Sequence, residues 1–424
     1  MQLPETLEGW LGLLEARHGQ AIQLGLDRVR VVRDALDLPK TCPVFTIGGT
    51  NGKGSTCALL EAVLLAAGYR VGLYTSPHLL KFNERVRIDG RDASDEALVE
   101  AFAEVERARG EIPLTYFEHG TLAAWVAFCR AGLDAIILEV GLGGRLDAVN
   151  VFEPDCAIVT SVAMDHMDFL GDTREAIGFE KAGIFRAGRP AICSDPMPPA
   201  SLVAHAEAIG AGLWVTGRDF GFAGDQNQWA FWLAGGSRRG GLAYPALRGT
   251  NQLLNASAVM AACEAVRDIL PVPMQAIRQG FMLVELPGRF QVLPGRPTVV
   301  LDVAHNPQAA GVLNENLASM GFFSETWAVL GMLGDKDVAG VVRLLRDRVD
   351  HWLLASLPGP RGLSAARLAE ILRELGVSGD VSEHDSPRAA YQVARDGAAE
   401  GDRIVIFGSF LTVADVLAAV KAPQ

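Results

Sequence analysis

The 424-residue sequence predicts an α/β chain of two domains. The first is larger, with a mostly parallel sheet; the second is a smaller, Rossmann-like α/β domain. Three observations carry that expectation. Short β-branched runs alternate with longer helical stretches, the pattern of parallel strands joined by crossover helices. A block of Pro/Gly punctuation, Leu286-Pro287-Gly288-Arg289-Phe290 followed by Pro294-Gly295-Arg296-Pro297, interrupts the alternation, which restarts after it. The length suits two or three domains of about 150 residues each.

In chain order, Val44–Ile47 reads as a strand, Ser55–Ala67 as a helix and Val71–Tyr74 as the next strand. Helices are expected at Ser94–Arg109 and Glu118–Ala131, followed by two buried strands, Ala135–Val140 and Cys156–Thr160. Asp172 and Glu175 form an Asp-x-x-Glu start signal for a helix reaching about Phe185. Between Leu213 and Gly249 the texture turns to Trp, Phe, Gly and Arg, which reads as a β-meander or loop excursion of open role. A helix at Asn255–Ile269 closes the first domain. Strands at Thr298–Asp302, Thr326–Leu330, Trp352–Ala355 and Arg403–Phe407 build the second. The expected division is 1–288, a joint at 289–294, and 295–424.

Composition excludes several classes. A formal charge of −12 argues against generic attraction to nucleic-acid backbones or anionic lipid. The hydrophobic fraction of 49% is that of a folded chain with ample core. No apolar run approaches the ~18 residues that cross a bilayer, and the first residues carry no secretory pattern. Six cysteines without CxxC spacing read as reduced, buried thiols of a cytoplasmic protein.

The strongest local signal is Gly48-Gly49-Thr50-Asn51-Gly52-Lys53-Gly54-Ser55, set between a strand and a helix. Glycines let backbone N–H groups face a phosphate, the helix N-terminus adds its dipole, and Lys53 would reach the β and γ phosphates beside Ser55. The match to the general P-loop is imperfect: residue 47 is Ile rather than Gly, and Gly54 separates the lysine from the hydroxyl. Ligands of open α/β sheets bind at the carboxyl ends of strands. Ser76 and His166 stand just beyond two such ends, and Glu139 lies at the end of a third strand, Ala135–Val140. Singly, Ser76 also reads as a turn cap, Glu139 as a partner of Arg145, and His166 as a loop histidine. Jointly, beside a triphosphate, they suit Mg²⁺, a hard ion that takes few protein ligands. Lys181 alone reads as a solvated lysine. The Asp302-Val303-Ala304-His305-Asn306-Pro307 string reads equally as a helix start.

Taken together, these strings resemble the Mur ligase superfamily and, within it, the bacterial bifunctional dihydrofolate synthase/folylpolyglutamate synthase family. The matching strings are residues 49–55, 74–79, 138–148, 165–166, 180–185, 286–290, 302–307 and 331–337, in order along nearly the whole chain. The resemblance implies that Gly52, Lys53, Gly54 and Ser55 hold the phosphates of ATP, joined by Asn255, Arg289 and Asp302. It implies that Ser76, Glu139 and His166 serve two magnesium ions, and that Lys181 is carbamylated so that it supports the second ion. Dihydropteroate would contact Leu24, Gly25, Leu26 and Asp27, then Thr115, Tyr116, Phe117 and Glu118, then Leu146, Asp147 and Ala148. The second domain would take L-glutamate. Monomer, with no nucleic-acid or membrane partner, is the expected state.

Peptidoglycan-building relatives carry a further domain ahead of the P-loop, and the 52 residues before Lys53 leave no room for one of about 100. A guanine-reading Asn-Lys-x-Asp string, which a signalling GTPase needs, is missing. A different Mur-type amino-acid ligase and a nucleotide-gated, non-catalytic binding protein remain the alternatives. The expected reaction activates a carboxylate as an acyl phosphate, which the glutamate amine then attacks, with His305 a candidate to take the amine's proton. Closure of the domains is expected to assemble this site.

Overall fold

A computed structural model describes residues 3–17, 23–225, 227–236, 238–249 and 251–421. The chain forms two compact units, Met1–Ala246 with Leu253–Val284, and Leu247–Gln252 with Glu285–Gln424.

The first unit holds β1 (Val44–Gly48), β2 (Val71–Tyr74), β3 (Val86–Ile88), β4 (Arg91–Asp92), β5 (Ala135–Glu139), β6 (Cys156–Val159), β7 (Pro190–Cys193) and β8 (Gly212–Val215) in one sheet. Its order is β4-β3-β2-β5-β1-β6-β7-β8. The six strands from β2 to β8 in that order run parallel, and β3 and β4 add an antiparallel edge. Strands β1 and β5, at the centre, bury every residue, as a parallel sheet covered on both faces requires. Each large apolar side chain buried there contributes about 1.5–3 kcal/mol. The excursion is a meander: β9 (Phe220–Gly224), β10 (Trp229–Leu233) and β11 (Arg238–Leu242) form an antiparallel sheet of their own.

Side-chain caps explain where the helices begin. Ser94 accepts from the Ala97 N–H ahead of Asp95–Arg109. Thr115 and Glu118 form a reciprocal capping box ahead of Tyr116–Ala131. One expected cap is corrected. The helix expected from Asp172 runs Arg174–Ala182 and is capped by Thr173. Glu175 instead accepts the N–H groups of Ala200 and Ser201 at 3.2 and 2.7 Å. That next helix has Pro199 at its N-cap, which offers no side-chain acceptor, so the carboxylate fills the role from outside. The helix expected from Asn255 starts four residues earlier, at Asn251, and ends at Ala265.

The second unit holds β12 (Gln291–Leu293), β13 (Thr298–Leu301), β14 (Thr326–Leu330), β15 (His351–Ala355), β16 (Asp380–His384) and β17 (Arg403–Phe407), in the order β12-β13-β17-β14-β15-β16. All are parallel except β12, which pairs antiparallel with β13. The expected joint at 289–294 therefore contains a strand of this sheet, and Phe290 lies in the unit's core with Val300, Leu330, Trp352 and Phe407. Strand β16 had no apolar signal because it is a largely exposed edge. Among the described residues no helix is long and apolar enough to cross a membrane.

Candidate active site

The glycine loop leaves β1 and enters the helix Lys53–Ala66. Gly52 has φ +90° and its absent Cβ would stand 2.7 Å from Asn255 Oδ1. Gly49 has φ +143°, and a Cβ there would collide with Thr160 Oγ1 at 1.9 Å. Both positions therefore exclude side chains on backbone and steric grounds together. The loop is laced to the segment after β6. Thr50 N donates to Ser161 O at 2.7 Å, Ala163 N donates to Thr50 Oγ1 at 3.0 Å, and Thr160 Oγ1 donates to Asn51 O at 2.7 Å. Lys53 Nζ donates to the carbonyls of Gly49 and Thr50 at 3.1 and 3.2 Å, so the ammonium lies over the loop. Gly54 and buried Ser55 follow in the helix's first turn, where the positive end of the helix dipole favours an anion. This cradle fits a nucleotide phosphate.

Strand order brings the expected metal residues to one edge. Strand β5 lies between β2 and β1, and β6 flanks β1 on its other side. Glu139 ends β5, buried, and its Oε2 accepts the N–H of Ser76, just past β2, at 3.1 Å. His166 follows β6 in a left-handed conformation (φ 51°) at the start of the short helix Met167–Leu170. Its Nε2 lies 4.0 Å from Asp165 Oδ1. Among the described residues no three of His, Cys, Asp and Glu converge as a ready-made metal cage.

Lys181 is not solvated. It is 3% exposed, and burial, then the charge of Lys53, pull its ammonium down to about 7 against the opposing fields of Asp165 and Asp147. A substantial share is therefore the neutral, nucleophilic amine near neutrality.

The three segments expected to meet the pterin form one neighbourhood. Gly25 N donates to Leu146 O at 3.3 Å. Arg28 Nη2 pairs with Glu118 Oε1 at 2.8 Å. The Phe117 ring packs against the bare Cα of Gly141, where a Cβ would come within 2.5 Å of it. Their side chains divide into two groups. Leu24, Leu26, Tyr116, Phe117 and Leu146 are half-buried, and Asp27 is exposed. Thr115, Glu118 and Asp147 are buried and engaged with the backbone, and Ala148 is buried beside them. Glu118 accepts Thr115 N at 2.7 Å. Asp147 accepts Leu142 N at 2.8 Å and Val149 N at 3.1 Å, while burial pushes its carboxyl up to about 7. These three shape the loops.

Sequence reasoning did not single out His78 or Arg85. Arg85 lies over the rings of Phe82 and Tyr116 at 5.3 and 5.5 Å and donates from Nε to His78 Nδ1 at 2.8 Å. Burial, then Arg85, hold His78 down to about 4. The available signal was the cation three residues after Phe82, which puts both on one side of a helical turn.

In the second unit, Asp302 follows β13 and accepts the N–H groups of Phe290 and Ala304, both at 2.8 Å. Burial raises its carboxyl, opposed by Arg289. The Arg289 guanidinium lies 4.8 Å over Phe410, whose ring neighbours His305 at 6.4 Å. His305 Nδ1 donates to Val303 O at 2.8 Å, so Nε2 carries the basic lone pair. Asn306 caps the helix Pro307–Ser319, so the helix-start reading of this string also holds.

Residues 47–195 match the family model of the Mur ligase middle domain, and residues 288–410 that of the Mur ligase, glutamate ligase domain. The chain is 44% identical to the dihydrofolate synthase/folylpolyglutamate synthase of Escherichia coli, over 99% of this chain and 97% of that one. The solved E. coli FolC in complex with DHPP and ADP superposes with a TM-score of 0.94 at 44% identity, covering 100% of this chain and 99% of that one. A bifunctional folylpolyglutamate synthase/dihydrofolate synthase with Mn, AMPPNP and L-glutamate bound superposes at 0.91 with 46% identity, covering 99% of this chain and 100% of that one. A glycine cradle for phosphate, a strand-end carboxylate and a relatedness that spans the chain lead to one assignment: the chain belongs to the dihydrofolate synthase/folylpolyglutamate synthase family of Mur ligases.

Proposed function

We infer that this chain is an ATP-dependent ligase that joins L-glutamate to dihydropteroate and adds further glutamates to reduced folates, forming ADP and phosphate. The observation that carries this reading is the laced glycine loop with Lys53 over it, beside the buried strand-end carboxylate of Glu139, which accepts the N–H of half-buried Ser76. A carboxylate resists an amine because it is anionic and would have to expel oxide. Accepting the γ-phosphoryl group of ATP as an acyl phosphate removes both obstacles. The carbon–nitrogen bond then forms as the carbon–oxygen bond to phosphate breaks, and the amine loses a proton.

The chain's residues position and neutralise. Gly52, Lys53, Gly54, Ser55 and Asn255 hold the phosphates, and Lys53 offsets their charge during transfer. In the second unit Arg289 and Asp302 are assigned to the nucleotide, and His305 Nε2 to the amine's proton. Ser76, Glu139 and His166 would hold Mg²⁺, which keeps phosphate oxygens and water among its ligands and suits so few protein donors. When bound it neutralises phosphate charge. Two ions are proposed, the second supported by Lys181 as a carbamate. The support is that CO₂ adds only to a neutral amine and burial makes one of Lys181. The half-buried faces of Leu24, Leu26, Tyr116, Phe117 and Leu146 are assigned to the pterin and aminobenzoyl rings, with Gly25, Asp27, Thr115, Glu118, Asp147 and Ala148 forming the framework around them. A cytoplasmic monomer is the state proposed, supported for the compartment by six unpaired thiols.

The deciding experiment is phosphate release from ATP with glutamate and dihydropteroate together, against either alone. Release only with both supports the ligase. Equal release in all three mixtures overturns it.

A further inference from the structure

Around the segments assigned to the pterin, guanidinium groups are matched with carboxylates. Arg28 meets Glu118 at 2.8 Å, Arg145 meets Glu180 at 2.8 Å, and Arg87 lies 3.4 Å from Glu61. Arg85 differs. Among the described residues no carboxylate stands within ion-pair distance of it. Its chain neighbour Glu84 is turned into its own loop, with Oε2 accepting Leu79 N at 2.7 Å and Oε1 accepting Leu80 N and Lys81 N at 2.9 Å. A half-buried cation with no counter-charge is costly, and a bound anion would offset that cost.

The guanidinium is nevertheless held in place. It lies 5.3 and 5.5 Å from the centres of the Phe82 and Tyr116 rings, and its Nε donates to His78 Nδ1 at 2.8 Å. Burial and Arg85 keep His78 neutral, so this cluster carries a single positive charge. With Nε engaged, the fork of Nη1 and Nη2 has no hydrogen bond among the described residues. That fork is the geometry that grips a carboxylate with two parallel bonds. The main chain sets Arg85 beside the strand end that carries Ser76, because Thr75 N donates to Arg85 O at 2.9 Å. On its other side is Tyr116, a residue assigned to the rings of the acceptor.

The two acceptors of the ligase differ in one respect that such a fork can read. Dihydropteroate has a single carboxylate, and that group becomes the acyl phosphate. A folate that already ends in glutamate has another, the α-carboxylate of that glutamate, which takes no part in the reaction. Four carbon–carbon bonds of about 1.5 Å each join it to the reacting γ-carboxyl group. The two groups therefore lie within about 5 Å of each other, whatever length of tail stands behind them. An enzyme that extends such an acid must offset this extra charge close to the reacting end.

We propose that the Nη1/Nη2 fork of Arg85 binds the α-carboxylate of the acceptor's terminal glutamate, which makes Arg85 a specificity determinant for extension as against first addition. The identity of the acceptor rests on the ligase reading. Phe82, Tyr116 and His78 hold the cation ready for it.

The test uses the full chain and a pair of ligands, tetrahydrofolate and its analogue in which the α-carboxylate is a carboxamide and the γ-carboxylate is free. Calorimetry gives the affinity of each for the wild type and for Arg85→Gln. A wild-type preference for the carboxylate of about tenfold or more, lost in the variant, supports the proposal. No preference in the wild type overturns it, and so does a preference that Arg85→Gln retains in full. Should Arg85→Gln fail to fold, Arg85→Met, which keeps an apolar stem over the two rings, takes its place. Glutamate addition is then compared on both acceptors. The variant's loss in kcat/KM for tetrahydrofolate should exceed its loss for dihydropteroate by about tenfold or more. Equal losses overturn the proposal, since they mean that Arg85 meets the reacting carboxylate or shapes the pocket. Failure of the wild type to ligate either acceptor would strike the ligase reading, while the calorimetric comparison would still report on Arg85.

Discussion

Arg28 and Glu118, 90 residues apart in the chain, meet at 2.8 Å and join the start of the helix Asp27–Leu36 to the start of Tyr116–Ala131. The pair also anchors Gln23 through its carbonyl, which Arg28 reaches at 3.0 Å. Glu118 is therefore a clasp between two segments assigned to the pterin.

Glu118→Ala removes the clasp, half of a capping box and the partner of a part-buried guanidinium. A loss of about 2 kcal/mol is expected in urea unfolding. In steady-state assays the KM for dihydropteroate should rise while the KM for ATP holds. Equal increases in both would mean that the clasp supports the whole unit and not the pterin segments.

Gly52→Ala meets two obstacles, the left-handed backbone and Asn255 Oδ1. It should destabilise by about 1–2 kcal/mol and weaken nucleotide binding measured by calorimetry. Asn255→Ala in the same chain relieves only the steric part, so partial recovery of stability is expected. Complete recovery would show that the backbone conformation costs nothing.

Lys53→Ala should leave the unfolding midpoint near that of the wild type and cut ATP-dependent ligation by about a hundredfold or more. Phosphate release measures it directly. Wild-type turnover would remove Lys53 from the phosphate site.

Lys181 sets a pH dependence of known sign. Its folded pKa, about 7, lies below the ordinary lysine value of 10.5. Between these values the unfolded chain binds more protons, so stability rises with pH from about 7 to 10. Asp147 and Glu61, both raised to about 7, act oppositely and lower stability from about pH 4 to 7. Urea unfolding at pH 7 and 9.5 under CO₂-free gas should therefore show greater stability at the higher pH, and Lys181→Met should flatten the rise. A rise of equal size in the variant would assign it to other groups.

His305→Ala should lower kcat by about 10²-fold or more if Nε2 accepts the amine's proton. The low-pH limb of the kcat profile should flatten with it. A variant with both limbs intact would leave the proton to water or phosphate.

The central elements were legible because their causes are local. A short β-branched and aromatic run, glycines and a largely apolar helix follow one another between Val44 and Ala66, and Val71–Tyr74 and Thr326–Leu330 were placed to the residue. The exposed edge β16 and the strand β12 inside the expected joint were not, because neither carries an apolar run. Glu175 had the spacing of a local cap and serves a distant helix instead, since the competing acceptor Thr173 was nearer. At the site, motif positions were readable, while the tasks of individual carboxylates were not.

By itself the sequence determined the α/β alternation, the phosphate-type loop and the family, because these rest on neighbouring residues and on spacing. Tertiary structure alone decided that Lys181 sits out of water near a second cation, and that Asp147 and Glu118 spend their oxygens on backbone donors and Arg28. Protonation and hydrogen-bond partners depend on what surrounds a group in space, and those neighbours come from strands and loops far apart along the chain.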